Sequence, residues 1–143
     1  DVPLLSYETL SDLLAFHHSQ LAAATDLTAI LPDAGNYGRI VRDSNDAILK
    51  IVERKDASAE ELQIKEINTG TFCFDKEALF WALDQVRPNN AQKEYYLTDT
   101  LALLRGNGQS ISAFPSSDPD ETMGINTKDE LVAMEKILLA RQG

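Results

Sequence analysis

Cysteine is nearly absent: the chain has 143 residues and one thiol, Cys73. A disulfide framework within the chain is excluded. Cys73 lies in the apolar run TFCF and reads as a buried structural thiol, and such sparing use of cysteine fits a reducing, cytoplasmic compartment. Basic residues are also scarce, with 13 Lys and Arg against 23 Asp and Glu and a formal net charge of −10. Phosphate-backbone affinity needs clustered cations, so nucleic acid is not an expected partner. An anionic membrane surface would repel the chain, no apolar run approaches the ~20 residues of a membrane span, and no signal peptide is visible. A small anionic ligand stays admissible, because local groups or a metal override net charge.

Several chemical signatures are missing too. Neither G-x-G-x-x-G nor G-x-x-x-x-G-K-S/T occurs, so the glycine-rich phosphate loops are absent. H-E-x-x-H, paired cysteines and G-x-S-x-G are absent as well. The two histidines, His17 and His18, are adjacent. On a helix they point about 100° apart and cannot form an i, i+4 metal pair; one is expected to be partly packed and one solvated.

What is present is a mixture of strands and helices. DVPLL reads as the tail of a strand. SYETLSDLLAFHHSQLAAA reads as a helix capped by Ser6 or Thr9, with Leu10, Leu13, Leu14, Phe16 and Leu21 at near-helical spacing. Asp26–Leu31, Asn36–Arg42 and Ala47–Glu53 read as strands, the last two joined through Asp43–Asp46 as a hairpin. Ser58 and Glu61 form a capping box that starts a short helix. Ile67–Phe74 reads as a strand buried on both faces, with Gly70 marking a bulge or a close backbone approach. Asp75 caps a helix over Lys76–Val86 with Leu79, Phe80, Leu83 and Val86 on one face. Helices over Thr98–Arg105 and Thr127–Arg141, the second with a stripe of Leu131, Met134, Ile137 and Leu138, frame a strand at Ser110–Phe114. The fold class is therefore α/β with a mixed sheet, in one domain large enough for a real core.

Candidate functional residues are polar groups at strand ends. Glu53 and Asn68 fall where strands end or begin, a place from which a rigid scaffold can grip a polyhydroxylated ligand; each also reads as an ordinary residue, Glu53 solvated and Asn68 bridging internally. Asp1 is either a Mg²⁺ ligand or a charged loop residue, since Mg²⁺ needs one or two carboxylates plus substrate phosphates. Asn126 is either a site residue or the start of the last helix.

The segments DVPLL…ETL, NYGRIVR, IVERKDAS, EINTG, NNAQKEYYLTD and GIN, in this order, resemble the uridyltransferase domain of bacterial N-acetylglucosamine-1-phosphate uridyltransferase, a bifunctional enzyme with glucosamine-1-phosphate acetyltransferase. The resemblance implies part of a nucleotide-diphospho-sugar transferase fold, a Rossmann-like α/β/α sandwich. It implies uridylyl transfer from UTP to N-acetylglucosamine 1-phosphate, giving UDP-N-acetylglucosamine and pyrophosphate with Mg²⁺. It further implies Asp1 and Asn126 as metal ligands, Gly38, Glu53 and Asn68 as sugar contacts, and Glu94, Tyr96 and Thr98 in the loop that closes on the amino sugar. The family's N-terminal G-x-G-T-R-M part and its C-terminal β-helix have no counterpart here, so residues 1–143 are expected to form the sugar-binding C-terminal portion of the domain, inactive alone and open to self-association at a sheet edge. Lys93 stands where NNAQGEYYLTD has glycine. The alternatives are a nucleotidyltransferase for another sugar phosphate and a non-catalytic sugar-nucleotide-binding module.

Overall fold

The computed structural model describes residues 2–142, with the side chain of Gln142 excepted. Helix α1, Tyr7–Gln20, starts where the Ser6 side chain accepts from the Thr9 N–H and stops at Leu21, whose φ of 47° is left-handed. The expected helix through Ala24 is thus four residues too long. Ala24 instead opens β1, Ala24–Ile30. Val2–Ser6 form a turn and irregular chain, not the tail of a strand.

Strands β2, Arg39–Arg42, and β3, Ile48–Val52, form the expected antiparallel hairpin. Asp43 holds the turn, accepting from the N–H groups of Asn45 and Ala47 at 2.8 and 3.1 Å. The Ser58–Glu61 box is reciprocal, Ser58 N–H to Glu61 Oε2 at 2.8 Å and Glu61 N–H to Ser58 Oγ at 3.2 Å. It opens only a 3₁₀ turn over Glu61–Gln63. Strand β4 is Glu66–Phe74, α2 is Lys76–Gln85, α3 is Asp99–Gly106, β5 is Ile111–Pro115 and α4 is Lys128–Gln142.

The sheet runs β3-β2-β4-β1-β5. β1 pairs antiparallel with β4 and parallel with β5, so the sheet is mixed as expected. Successive strand residues face opposite sides, and β1 shows what covers each side. Ala24 packs with Ala78, Ala82, Leu101 and Leu104, placing α2 and α3 on one face. Thr25 meets His17 Nδ1 at 2.8 Å, placing α1 on the other. The result is a three-layer α/β/α arrangement. His17 is the packed histidine and His18 the exposed one.

Several expected apolar faces turn only partly inward. In α1, Leu13 is buried while Leu10, Leu14 and Leu21 are exposed. In α2, Ala78 and Ala82 are buried, as is Val86 just past its end, at i, i+4 and i+8, whereas Phe80, Trp81 and Leu83 are exposed. Small residues let α2 approach the sheet and α3 closely. In α4, Met134 is buried and Leu131 and Leu138 are exposed. β4 is buried only over Ile67–Thr69; from Thr71 it is half-buried. Gly70, at φ +82°, sits where the β1–β4 register shifts between Asp26 and Thr28, the expected bulge.

One core residue is out of character. Asp26 is fully buried on β1, and neither carboxylate oxygen has a hydrogen-bond partner among the described residues. Burial, and secondarily Glu66, push its carboxyl well above the usual carboxylate range.

Candidate functional site: a polar wall at the hairpin's end

Hairpin register decides which residues meet. Arg39 pairs with Val52, so Gly38, just before β2, lies beside Glu53, just after β3. A Cβ at Gly38 would stand 3.4 and 3.5 Å from the two Glu53 carboxylate oxygens and 3.2 Å from Ile51 Cγ2. The Gly38 carbonyl accepts from the Asn68 N–H at 3.0 Å, which joins β4 to the same place. Thr98 completes the group, its hydroxyl donating to Glu53 Oε1 at 3.1 Å. Gly38, Glu53, Asn68 and Thr98, spread over 60 residues of sequence, therefore form one contiguous wall.

The groups this wall offers are specific. Asn68 Oδ1 accepts from the Gly70 N–H at 2.8 Å, so the side-chain amide bridges internally and its Nδ2 remains as a donor. Glu53 lines two adjoining clefts. One, of about 200 Å³, also has Asp56, Asn90, Tyr96 and Asp99 on its walls; the other, of about 250 Å³, has Asn36, Arg54, Lys55 and Gln92. The loop over residues 87–97 is held against them. Asp56 Oδ1 accepts from the Ala91 N–H at 2.8 Å. Asn90 brackets Glu94 by accepting from its N–H at 3.1 Å and donating to its carbonyl at 2.6 Å. Tyr96 donates to Gln92 Oε1 at 2.9 Å. Glu94 and Tyr96 thus lie on the loop that leads to Thr98, joined through Gln92, whose Nε2 donates to Glu94 Oε2 at 3.3 Å. Burial first and then Asp56 raise the Asp99 carboxyl, and burial followed by the surrounding carboxylates raises the Tyr96 phenol. A wall of carboxylates and amides suits hydroxyl and N–H donors, and repels bare phosphate unless a cation intervenes.

Lys93 adopts φ +56°, left-handed backbone that favours glycine. Asp56, Asn90, Gln92 and Asp99 lie inside the segments IVERKDAS and NNAQKEYYLTD but did not stand out singly. Their placement arises from contacts such as Asp56 to Ala91, 35 residues apart.

The metal-side expectations divide. Asp1 lies outside the described residues. Asn126 is exposed, and the α4 cap beside it is Thr127, whose hydroxyl accepts from the Glu130 N–H at 3.2 Å. Asn126 is therefore not the helix cap. Pro3, Leu4 and Ile125 line one cavity of about 350 Å³, so the segment that follows Asp1 in sequence and the residue before Asn126 share it. A carboxylate and an amide carbonyl are hard oxygen donors of the kind Mg²⁺ takes alongside substrate phosphates, and the residue types fit. Among the described residues no group of three or more His, Cys, Asp and Glu could hold a metal by itself.

A larger cleft, about 760 Å³, lies elsewhere, between the end of α1 and the start of α2, lined in part by His18, Leu21, Cys73 and Lys76. It is open, and it brings together none of the polar wall.

No protein-family profile matches the sequence. The chain is 50% identical over 141 residues to the bifunctional protein GlmU of Brevibacillus brevis, and over the same number of residues 48% identical to that of Enterococcus faecalis and 47% to that of Bacillus subtilis. Each match covers 99% of this chain and 31% of the relative. In fold, the chain is similar to the UTP-bound UGPase from Acinetobacter baumannii, with a TM-score of 0.54 over 76% of this chain and 37% of that one at 21% identity. Over nearly its whole length, then, this chain matches one portion of the bifunctional GlmU proteins, and it spans about a third of their length.

Proposed function

We propose that the chain supplies the sugar-side portion of a sugar-1-phosphate uridyltransferase, acting on N-acetylglucosamine 1-phosphate and UTP. The observation that carries this reading is the convergence of Gly38, Glu53, Asn68 and Thr98 on one wall, together with the GlmU similarity over the same residues. Gly38 leaves room for a sugar ring to approach backbone. Glu53, fixed by Thr98, accepts from sugar hydroxyls. Asn68 Nδ2 donates to the N-acetyl carbonyl. The loop carrying Glu94 and Tyr96 closes over the amino sugar.

In the reaction so read, a phosphate oxygen of the sugar phosphate forms a bond to the α-phosphorus of UTP. The bond from that phosphorus to the bridging oxygen breaks, and pyrophosphate leaves with the electron pair. Mg²⁺, held by Asp1 and Asn126, would neutralise the gathered phosphates. The protein residues bind and orient, and no covalent enzyme intermediate is required. We expect the work to be cytoplasmic, because the proposed substrates are phosphorylated. No described helix is long and apolar enough to cross a membrane.

Calorimetry with UDP-N-acetylglucosamine and Mg²⁺ tests the reading. Binding is expected, weakened about tenfold or more by Glu53→Ala, since a charge-assisted hydrogen bond is lost. UDP-glucose is expected to bind more weakly. No heat at millimolar ligand, or equal affinity for both sugars, counts against it. The chain alone is expected to release no pyrophosphate from the full substrate mixture, and robust release would contradict that part. β5 has a described strand on one side only, and we expect association through its free edge; a purely monomeric sedimentation profile at high concentration would refute it.

A further inference from the structure

Tyr37 precedes Gly38 and reaches across the molecule. Its phenolic oxygen accepts from the Gly124 N–H at 2.8 Å, joining positions 87 residues apart. The tyrosine is well held. Its ring packs against the buried cluster of Ala29, Ala34 and Ile67. Its N–H donates to the Ala34 carbonyl at 3.1 Å, and the buried Arg39 guanidinium donates to the carbonyls of Gly35, at 3.0 Å, and of Tyr37 itself.

The segment it meets is fastened at both ends. Upstream, Thr122 is fully buried and its hydroxyl donates to the Pro119 carbonyl at 2.8 Å. Downstream, the N–H groups of Asn126 and Thr127 donate to Glu130 Oε2 at 2.7 and 2.8 Å. Between these ends, Gly124 is the one residue of 123–125 whose N–H has a partner among the described residues. The Tyr37 hydroxyl thus sets the height of the segment leading to Asn126 from the turn that carries Gly38.

We infer that Tyr37 is a positioning residue coupling the sugar side of the site to its metal side. The identity of what is coupled rests on the uridyltransferase reading; the latch between Tyr37 and Gly124 does not. Seating a sugar against Gly38 steadies the turn over residues 34–37. The same turn holds Gly124, and so Asn126 is pre-placed for the cation. By linkage, the cation favours sugar-nucleotide binding by the same factor.

Tyr37→Phe tests this, because it deletes one oxygen and keeps the ring in its packing. Two measurements are made on the chain. Hydrogen exchange at the Gly124 amide should quicken by about threefold to tenfold, the range one hydrogen bond supports, while the Asn68 amide, bonded to the Gly38 carbonyl, keeps its rate. The factor by which Mg²⁺ tightens UDP-N-acetylglucosamine should shrink by a similar amount, with affinity in the absence of Mg²⁺ unchanged. A merely structural tyrosine would lower both affinities together. Unchanged Gly124 exchange overturns the latch whatever the ligand data show. Quickened exchange with an unchanged Mg²⁺ factor overturns the coupling. A wild-type chain that binds the sugar nucleotide without any Mg²⁺ effect overturns the coupling and leaves the sugar-binding reading standing; a wild-type chain that binds none overturns both.

Discussion

The Thr98 hydroxyl donates to Glu53 Oε1 at 3.1 Å, and the N-terminus of α3, which Thr98 begins, goes without a side-chain cap. A threonine at that position ordinarily accepts from the helix's own N–H groups. Here its hydroxyl serves the wall instead. Thr98→Val keeps the shape and removes the hydroxyl. UDP-N-acetylglucosamine affinity is expected to fall about threefold to tenfold, as for one hydrogen bond, with little change in stability. Calorimetry paired with thermal denaturation reads both, and unchanged affinity would remove Thr98 from the site.

Gly38→Ala acts through space and not through backbone strain. The added Cβ would lie 3.2 Å from Ile51 Cγ2, tighter than ordinary contact, and 3.4 Å from Glu53 Oε1, at the edge of it. Overpacking at a buried position costs typically 1–3 kcal/mol, and the new methyl stands against the carboxylate that Thr98 holds. Both the midpoint of urea unfolding and the sugar-nucleotide affinity are expected to drop. A variant with native affinity would show that the glycine is not needed for close approach.

Asp26 makes stability depend on pH. Its folded carboxyl titrates well above the ordinary value, by burial first and Glu66 second. The folded state therefore holds a proton that the unfolded chain releases near pH 4. Stability from this group is greatest below that pH and falls as pH rises toward the folded value. Asp26→Val is expected to be more stable than the native chain at pH 7 by about 1 kcal/mol or more, since burying an unpaired polar group costs at least that. The difference should narrow toward pH 4. Urea unfolding from pH 4 to 8 measures it, and parallel profiles for the two proteins would sink the explanation.

Lys93→Gly relieves left-handed backbone at φ +56°. Such a conformation costs a side-chain-bearing residue about 1–2 kcal/mol, offset in part by the freedom glycine gains when unfolded. The net gain is expected to be below about 1 kcal/mol, a rise in Tm of no more than about 4 °C. A fall in Tm would mean that the lysine side chain contributes contacts larger than the strain.

Local devices were legible in the sequence. Ser6, Asp75 and the Ser58–Glu61 pair cap as their spacing predicts, and the β2–β3 hairpin follows from alternation around Asp43–Asp46. Which face of each helix turns inward was not legible. In α2 the larger apolar residues Phe80 and Leu83 lost to Ala78 and Ala82, because the gap over the sheet and α3 admits only small side chains. Asp26 was equally hidden, since DLTAIL reads as an ordinary strand and nothing in it marks the aspartate as buried. Of the proposed site residues, Glu53 and Asn68 were legible singly at strand ends, and Gly38 and Thr98 only through the family resemblance. Their assembly was not, because it depends on register between Gly38 and Glu53 and on the bond from Thr98, 45 residues from its partner.

The sheet's pairing order also sets a timetable for its formation. β2 and β3 meet across the short turn held by Asp43, so little chain entropy opposes them. β1 and β5 meet only when a span of 87 residues closes, as the 2.7 Å contact between Thr25 and Ser112 marks. Closure entropy grows with the span, and distant pairings slow folding. The hairpin that builds one wall of the site is therefore expected to nucleate the fold, and β5 to dock last. Stopped-flow kinetics would show it: Asp43→Ala should slow refolding, whereas Ser112→Ala should chiefly hasten unfolding. The reverse pattern would place nucleation at the β1–β5 seam.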